Sequence, residues 1–158
     1  MANSREEYIA GYSYDEWEKI KSQFENDYSN STKYNKSYRE LINEILEDET
    51  YQSFELKTGL SQNMFYRTKN QVDEKDPPKM KTLISICVGY KLDLMMAQAL
   101  LYSLGLGFNR QSKRDYAYSY LLTRCRDKDI DECNAILKEL EIPPKYWLGG
   151  YARNVTKK

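Results

Sequence analysis

The sequence predicts an all-α protein, and three observations lead to that fold class. Apolar residues recur every three or four positions along most of the chain, which is the spacing of one helix face. Residues that cap helices precede these runs, and glycine or proline follows them. The strict alternation of apolar and polar residues that marks a strand is almost absent. We therefore expect about eight helices and no sheet in the 158 residues.

The first helix is predicted near residues 14–28. Ser13 and Glu16 have the spacing of a capping box, in which each side chain accepts a hydrogen bond from the other residue's backbone N–H. One face of the helix then carries four large apolar side chains, Trp17, Ile20, Phe24 and Tyr28. The polar run 29–36 should end this helix, so we place a domain boundary there. Residues 1–36 are then an acidic, aromatic N-terminal extension.

A second helix is predicted near residues 38–48. Ser37 and Glu40 form another capping-box pair in front of it. Its apolar residues recur at helical spacing and comprise Leu41, Ile42, Ile45 and Leu46. This face should pack against the helices that follow.

Two short helices are predicted next, near residues 51–58 and 62–70. Thr50 can cap the first helix. Gly59 should end it, because glycine adopts the left-handed conformation of a helix C-terminus without a steric penalty. Ser61 can cap the second helix after a turn of only three residues. The sequence therefore predicts two helices joined by a tight turn.

Two apolar helices are predicted beyond a loop at residues 71–79, which contains Pro77 and Pro78. The first should be amphipathic and end near Tyr90, with Met80, Leu83, Ile84, Cys87 and Val88 on its apolar face. Asp93 can cap the second, which Gly105 should end. Its inward residues are expected to be Leu94, Ala97, Leu101 and Leu104.

Residues 106–150 should add two further helices packed on this core. We expect Asp115 to begin the first of them, with Ala117, Tyr120 and Leu121 on one side. Asp129 and Glu132 form a cap pair for the second, which Pro143 and Pro144 should stop. The apolar residues of that helix are Cys133, Ile136, Leu137 and Leu140.

The chain should close with an apolar plug and a flexible tail. Trp147 and Leu148 are the plug, because they are the large apolar residues that follow the two prolines. Residues 151–158 are polar and basic, and we expect them to fray as chain ends commonly do.

Composition argues against an enzyme. The chain contains no histidine, which excludes Ser/His and Cys/His catalytic pairs and histidine zinc sites. The aspartates 127, 129 and 131 surround a helix start, as solvated capping residues do. Gly105 and Gly107 lack the third glycine of a phosphate-binding loop. We find no cofactor or metal motif, and we expect neither.

The charge of the chain is balanced but unevenly distributed. Lys and Arg number 24, as do Asp and Glu, so the formal net charge is zero. Residues 1–50 hold 6 basic and 12 acidic side chains, residues 51–91 hold 7 and 4, and residues 92–158 hold 11 and 8. Only the last two segments, each with a net charge of +3, are suited to an anionic partner.

The sequence predicts a cytoplasmic protein with no membrane partner. No apolar run follows the first charged residues, so no signal peptide is expected. The apolar stretch Leu94–Phe108 is too short and interrupted to span a bilayer. The three cysteines, Cys87, Cys125 and Cys133, are widely spaced and are interpreted as small apolar core groups in a reducing compartment.

The segment Phe54–Arg67 carries the most specific signal in the sequence. It combines a short helix, Gly59, an apolar Leu60 that seals the corner, and a helix capped by Ser61. In this order and length, residues 37–105 resemble the five-helix lambda-repressor-like DNA-binding domain. The fold implied is that five-helix core, with an N-terminal helix and two extra C-terminal helices.

This resemblance implies a sequence-specific double-stranded DNA-binding protein, a transcriptional regulator that reads the major groove with helix 62–70. The residues at the DNA-facing positions of the family are Gln52, Ser61, Gln62, Asn63, Tyr66 and Arg67. Lys69 and Asn70, with Lys79 and Lys81 near the following loop, are implied phosphate contacts. Met64, Phe65 and Thr68 should point back to the core.

The family also suggests a role for the appended residues 106–150, because such a segment often dimerises the protein or binds a ligand. The residues of the expected homodimer surface are Tyr116, Tyr120, Cys133, Ile136 and Leu140. The other interpretation is that these residues complete one enlarged core.

An alternative function is a protein–protein interaction module that keeps the repressor-like fold without binding DNA. Glu55 motivates it, because the family has alanine at this position and a glutamate beside the major groove repels phosphate. The zero net charge and the acidic, aromatic first 50 residues point the same way. That segment could be an acidic mimic that covers the basic face, or a helix that binds a protein partner through Trp17 and Phe24.

Overall fold

Helices dominate the structure, so the all-α class predicted from the sequence is correct. The structure is a computed structural model, and it describes residues 8–34, 36–70 and 78–150. Contacts within the chain divide it into two compact units, residues 1–36 and residues 37–158. The predicted loop 71–79, except its last two residues, and the predicted tail 151–158 lie outside the described residues.

The first unit contains a small β-hairpin, which corrects the expectation of no sheet. Strand β1 (Tyr8–Ile9) pairs antiparallel with β2 (Tyr12–Ser13). The turn between them is made by Ala10 and Gly11, both with positive φ, at 51° and 86°. Two positive φ values suit a two-residue hairpin turn. Strands of two residues are too short to show the alternation that identifies a strand in a sequence.

Helix α1 (Tyr14–Tyr34) follows the hairpin directly. The predicted capping box is present: the N–H of Ser13 donates to Glu16 Oε1 and the N–H of Glu16 donates to Ser13 Oγ. The helix continues through most of the polar run 29–36, so the expectation that this run breaks it is wrong. The physical reason is that the run contains no glycine or proline, and each Ser, Asn or Thr costs only about 0.5–0.7 kcal/mol relative to alanine.

The second unit consists of seven helices in the described residues. Their bounds are α2 Tyr38–Ile45, α3 Tyr51–Thr58, α4 Gln62–Asn70, α5 Met80–Gly89, α6 Leu94–Tyr102, α7 Lys113–Thr123 and α8 Ile130–Glu139. A single 3₁₀ turn, Pro144–Tyr146, follows α8.

Three helix ends of the second unit differ from the prediction, one of them that of α6, which ends at Tyr102 before the predicted stop at Gly105. Helix α2 stops at Ile45, and Asp48 then has a positive φ of 57°, so the chain turns before residue 48. Helix α7 begins at Lys113 because Ser112 is its cap, accepting from the N–H of Asp115. Asp115 is buried instead, and its carboxylate accepts from the N–H of Asn109 at 2.8 Å.

Helix α5 lies at the centre of the second unit. The sequence predicted an amphipathic helix here, and that prediction is wrong. Every residue from Thr82 to Val88 is buried, because α3, α6, α7 and α8 all contact this helix. A helix covered on all sides is apolar around its circumference. Ser85 is tolerated there because its hydroxyl donates to Lys81 O at 2.8 Å.

Helix α7 buries a different tyrosine from the one expected. Tyr118 is fully buried, with Ala117 and Leu121 beside it in the core, while Tyr120 is exposed. The reason is a specific polar contact, since Tyr118 Oη donates to Tyr146 O at 2.6 Å. The core therefore buries the aromatic ring of Tyr118 and also provides a hydrogen-bond acceptor for its hydroxyl.

The appended residues complete one core with the preceding helices. Leu148 is fully buried and Trp147 half-buried, as the predicted plug requires. Cys133 is also fully buried, which corrects its place on the expected dimer surface. Burial raises the pKa of the Cys87 and Cys133 thiols to about 12, so both behave as the predicted apolar groups.

Candidate nucleic-acid interface

The corner between α3 and α4 has the local bonds that the sequence predicts. Thr50 caps α3 by accepting from the N–H of Ser53 at 3.2 Å. Gly59 ends the helix with φ 73°, and its N–H donates to Glu55 O at 2.8 Å. The buried hydroxyl of Thr58 donates to Phe54 O and accepts from the N–H of Leu60. These bonds hold the turn in one conformation.

The two helices of the corner are joined by aromatic packing. The rings of Phe54 and Phe65 are 5.1 Å apart between centroids, and both side chains are buried. Thr68 is buried one turn later on α4, and Leu60 is buried within the turn. The inward direction predicted for Phe65 and Thr68 is correct, and Met64 is half-buried. This face fixes α4 against the core and leaves its other face to solvent.

The amino end of α4 is exposed and presents amide side chains. Ser61 caps the helix, since its hydroxyl accepts from the N–H of Met64 at 3.2 Å. Gln62 and Asn63 occupy the first turn and are exposed. A helix end held at its cap and packed through Phe65 presents these amides on a rigid support.

The remaining predicted contacts lie on or beside the same helix. Tyr66, Arg67 and Asn70 are exposed on α4. Gln52 is exposed in the first turn of α3. This turn lies next to the middle of α4, because the ring centroids of Tyr51 and Tyr66 are 6.5 Å apart. Seven of the eight predicted residues are therefore exposed around α4, and Lys69 is the exception.

Lys69 is half-buried and contacts an aromatic ring. Its Nζ lies 5.4 Å from the centroid of the Phe65 ring, a cation–π distance. Of the two lysines expected beyond the loop, Lys79 is exposed. Lys81 is half-buried and its Nζ lies 3.5 Å from Lys145 O. Burial, and then the charge of Lys79, lower the pKa of Lys81.

A polar cluster that the sequence analysis missed braces the start of α3. Glu49 Oε2 accepts from Tyr90 Oη at 2.6 Å and from Lys57 Nζ at 3.1 Å, and Glu49 Oε1 accepts from the N–H of Thr50. Partial burial would raise the pKa of Glu49, but these bonds and one from Ser53 outweigh it and lower the pKa to about 2. Burial, then the bond to Glu49, raises the pKa of Tyr90.

The outer face of α3 carries Glu55, at the position where the resemblance to a repressor-like domain leads to an expectation of alanine. Glu55 is exposed, so its carboxylate does not separate the two helices. The ring contact between the helices is made by Phe54 instead. Leu56 beside it is also exposed, with 79% of its surface accessible.

Two glycines that the sequence analysis did not single out allow close backbone approach behind the corner. A Cβ on Gly89 would lie 2.6 Å from Lys57 O, and a Cβ on Gly149 would lie 3.2 Å from Gly59 Cα. The sequence contains one signal of this close approach, which is the glycine at position 89 within a predicted helix. Glycine lowers helix stability by about 1 kcal/mol relative to alanine, so its presence in a helix suggests that close packing requires it.

Comparison with protein-family models, with curated proteins and with solved structures finds no match to this chain. In the part of the chain that the structure describes, no helix combines the length and apolar character needed to cross a membrane. The described residues also bring together no group of three or more acidic or cysteine side chains suited to a metal ion.

Proposed function

We propose that this protein binds double-stranded DNA at specific sequences and regulates transcription, with α4 as the helix that enters the major groove. The observation that carries the proposal is the exposed amino end of α4, which presents Gln62 and Asn63 on a helix fixed through Phe65. Rigid support matters because base recognition needs donors and acceptors within hydrogen-bond distance of base edges.

The side chains on α4 suit the two kinds of contact in a DNA complex. The amides of Gln62 and Asn63 can bond adenine edges in pairs, and Arg67 can bond a guanine in the same way. The remaining contacts proposed for the DNA backbone and groove edge are Gln52, Ser61, Tyr66, Lys69 and Asn70. Lys69 would have to leave the Phe65 ring to reach a phosphate.

The fold proposed for this unit is a lambda-repressor-like five-helix core formed by α2 to α6. Its support is the order of the helices: a capped helix, the α3–α4 corner, and two further helices after the loop at residues 71–79. In this family a dimer reads two half-sites, and their centres would lie roughly 34 Å apart on the duplex.

The direct test is selection of bound duplexes from a random DNA pool at about 150 mM salt, where non-specific electrostatic binding is weak. We expect enrichment of one sequence, repeated as a palindrome if the protein binds as a dimer. A folded protein that enriches nothing, with or without residues 1–36, would refute the proposed DNA binding.

A second function is favoured by the outer face of α3. Glu55 and Leu56 are both exposed there, an acidic and an apolar residue beside the helix proposed to face DNA. Such a face suits a protein partner better than a phosphate backbone. If selection fails, the protein is better described as an interaction module, and Leu56→Asp should then abolish capture of its partner.

A further inference from the structure

The C-terminal segment Tyr146–Gly150 lies against the turn that joins α3 and α4. The N–H of Gly150 donates to Gly59 O at 2.9 Å. Gly149 has φ 75°, and a Cβ there would lie 3.2 Å from Gly59 Cα, Gly59 O and Thr58 O. The two backbones therefore touch at a distance that only glycine at position 149 permits without displacement.

Three side chains from elsewhere in the second unit hold this segment in place. The buried amide of Asn134 bonds Leu148 twice, donating to its O at 3.0 Å and accepting from its N–H at 2.7 Å. Ser85 Oγ on α5 accepts from the N–H of Gly149 at 2.9 Å. Tyr118 Oη donates to Tyr146 O. These bonds come from α5, α7 and α8.

Residues 146–150 connect the core to the turn that precedes α4. The segment is held by buried side chains on three helices, so its position relative to the core is fixed. The segment contacts the corner at Gly59, three residues before α4 starts at Gln62. Movement of the segment would therefore displace the turn at Gly59, which precedes the exposed amino end of α4.

We infer that residues 146–150 form a strap that sets the position of α4 for base recognition, and that Gly149, Asn134 and Ser85 are positioning residues for it. The inference rests on the proposed DNA binding. Base contacts require hydrogen bonds of about 2.7–3.2 Å, whereas attraction to phosphates tolerates displacement. Loosening the strap should therefore reduce affinity for the selected sequence more than affinity for unrelated duplexes.

Two glycines provide a matched pair of variants for the test. Gly149 and Gly105 both have positive φ, 75° and 72°, so alanine imposes similar backbone strain at each. A Cβ at Gly105 meets nothing within 4 Å, whereas one at Gly149 meets the turn. The comparison of Gly149→Ala with Gly105→Ala isolates the contact between strap and turn.

The measurements are hydrogen exchange at the Leu60 and Gly150 amides and affinity for the selected duplex relative to a scrambled one. We expect Gly149→Ala to speed exchange at both amides and to lower the specific-to-scrambled affinity ratio by about fivefold or more, the loss of one base contact. Gly105→Ala should leave both unchanged. Equal effects of the two variants would refute the inference that residues 146–150 position α4.

The two proposals fail in different ways. If the wild-type chain binds no selected duplex, the proposed function is refuted, and the role in base recognition with it. The exchange measurement still decides whether the strap holds the turn. If the wild-type chain binds but Gly149→Ala keeps the full affinity ratio, DNA binding stands and the positioning role is refuted.

A second pair of variants covers the case in which Gly149→Ala does not fold. Ser85→Ala removes the hydroxyl that accepts from Gly149. Ser103→Ala removes a hydroxyl that donates to a helix carbonyl, Leu100 O, at 2.6 Å. Only Ser85→Ala should speed exchange at Gly150 and lower the affinity ratio. Equal exchange rates at Gly150 and equal affinity ratios for Ser85→Ala and Ser103→Ala would also refute the positioning role of residues 146–150.

Discussion

Tyr38 and Tyr118 each bury a phenol ring in the core of residues 37–158, but only one hydroxyl is bonded. Tyr118 Oη donates to Tyr146 O at 2.6 Å. Tyr38 Oη has no hydrogen-bond partner in the part of the chain that the structure describes. Burial raises the pKa of Tyr38 to about 12, so this hydroxyl stays protonated at neutral pH. A buried polar group without a partner costs free energy.

The first prediction follows from this difference. Tyr118→Phe should lower the free energy of unfolding by about 1–2 kcal/mol, because it leaves Tyr146 O without its donor. Tyr38→Phe should leave the free energy of unfolding unchanged or raise it by up to about 1 kcal/mol. Urea unfolding of the two variants measures both values, and a loss at Tyr38→Phe as large as at Tyr118→Phe would contradict the prediction.

The second prediction concerns Glu49 and acid. Its pKa is lowered to about 2 in the folded chain, below the ordinary 4.5, so the stabilisation is present above pH 4.5 and is lost as the pH falls towards 2. At pH 7, Glu49→Gln should lower the free energy of unfolding by about 1–3 kcal/mol, and this difference from the wild type should vanish near pH 2.

Urea unfolding across the pH series measures this effect. The control is Glu47→Gln, an exposed neighbour at which substitution should change the free energy of unfolding by less than about 0.5 kcal/mol at any pH. A Glu49→Gln difference that stays constant from pH 7 to pH 2 would show that the Glu49 carboxylate contributes no pH-dependent stability.

The third prediction tests the proposed base contacts. Arg67→Ala should weaken binding to the selected duplex by about 1–3 kcal/mol and relax specificity at one base pair, if Arg67 bonds a guanine. Arg110→Ala removes the same charge from an exposed loop between α6 and α7 and serves as the control. Equal affinities of the Arg67 variant and the wild type, measured by fluorescence anisotropy, would exclude Arg67 from the interface.

At the scale of single elements, α5 and α7 show how neighbours determine what a helix face does. Helix α5 is covered on all sides, so its small polar residues are buried. Helix α7 is covered on one side and exposes Tyr116 and Tyr120, whose ring centroids are 5.5 Å apart. The guanidinium of Arg124 lies 6.0 Å from the Tyr120 ring. Tyr116 and Tyr120 are the part of the expected dimer surface that α7 leaves accessible, and Leu140 beyond α8 is also exposed, at 39%.

The fourth prediction is that the homodimer expected from the sequence forms through α7. Tyr116→Glu should shift the protein to monomer, because a charge placed in an aromatic contact is desolvated without a partner. Tyr102→Glu on α6 is the control, since Tyr102 is exposed to a similar degree, 63% against 58%. Sedimentation equilibrium measures the association constant, and equal values for the two variants would place the dimer contact elsewhere.

At the scale of the whole molecule, the chain consists of two units with different charge. Residues 1–36 hold 5 basic and 7 acidic side chains, a net charge of −2, which leaves +2 for residues 37–158. All eight residues proposed to contact DNA belong to the second unit. The core that supports them also lies within that unit.

The fifth prediction is that residues 37–158 fold and bind without the first unit. Deletion of residues 1–36 should leave cooperative unfolding intact and keep affinity for the selected duplex within about threefold, since few charges are removed. Calorimetry and anisotropy measure the two properties. A large gain in affinity would instead identify residues 1–36 as inhibitory, and loss of cooperative unfolding would show that the second unit requires them.

The sequence by itself determined the helices and most of their ends. Caps such as Ser37 and Asp129, and the left-handed Gly59, act through backbone groups within four residues, so their effect is visible in a short window of sequence. The exposed amino end of α4 was predicted for the same reason. The prediction of where α1 ends was wrong, because a polar run without glycine or proline gives no strong signal to end a helix.

Only the tertiary structure decided what lies behind the α3–α4 corner. Ser85 and Gly149 are 64 residues apart, and Glu49 and Tyr90 are 41 residues apart, yet each pair is hydrogen-bonded. No local pattern encodes these pairs, because they form only after packing of the helices brings distant segments together. Burial of Tyr118 rather than Tyr120 was decided in the same way, by the backbone carbonyl of Tyr146 that its hydroxyl reaches.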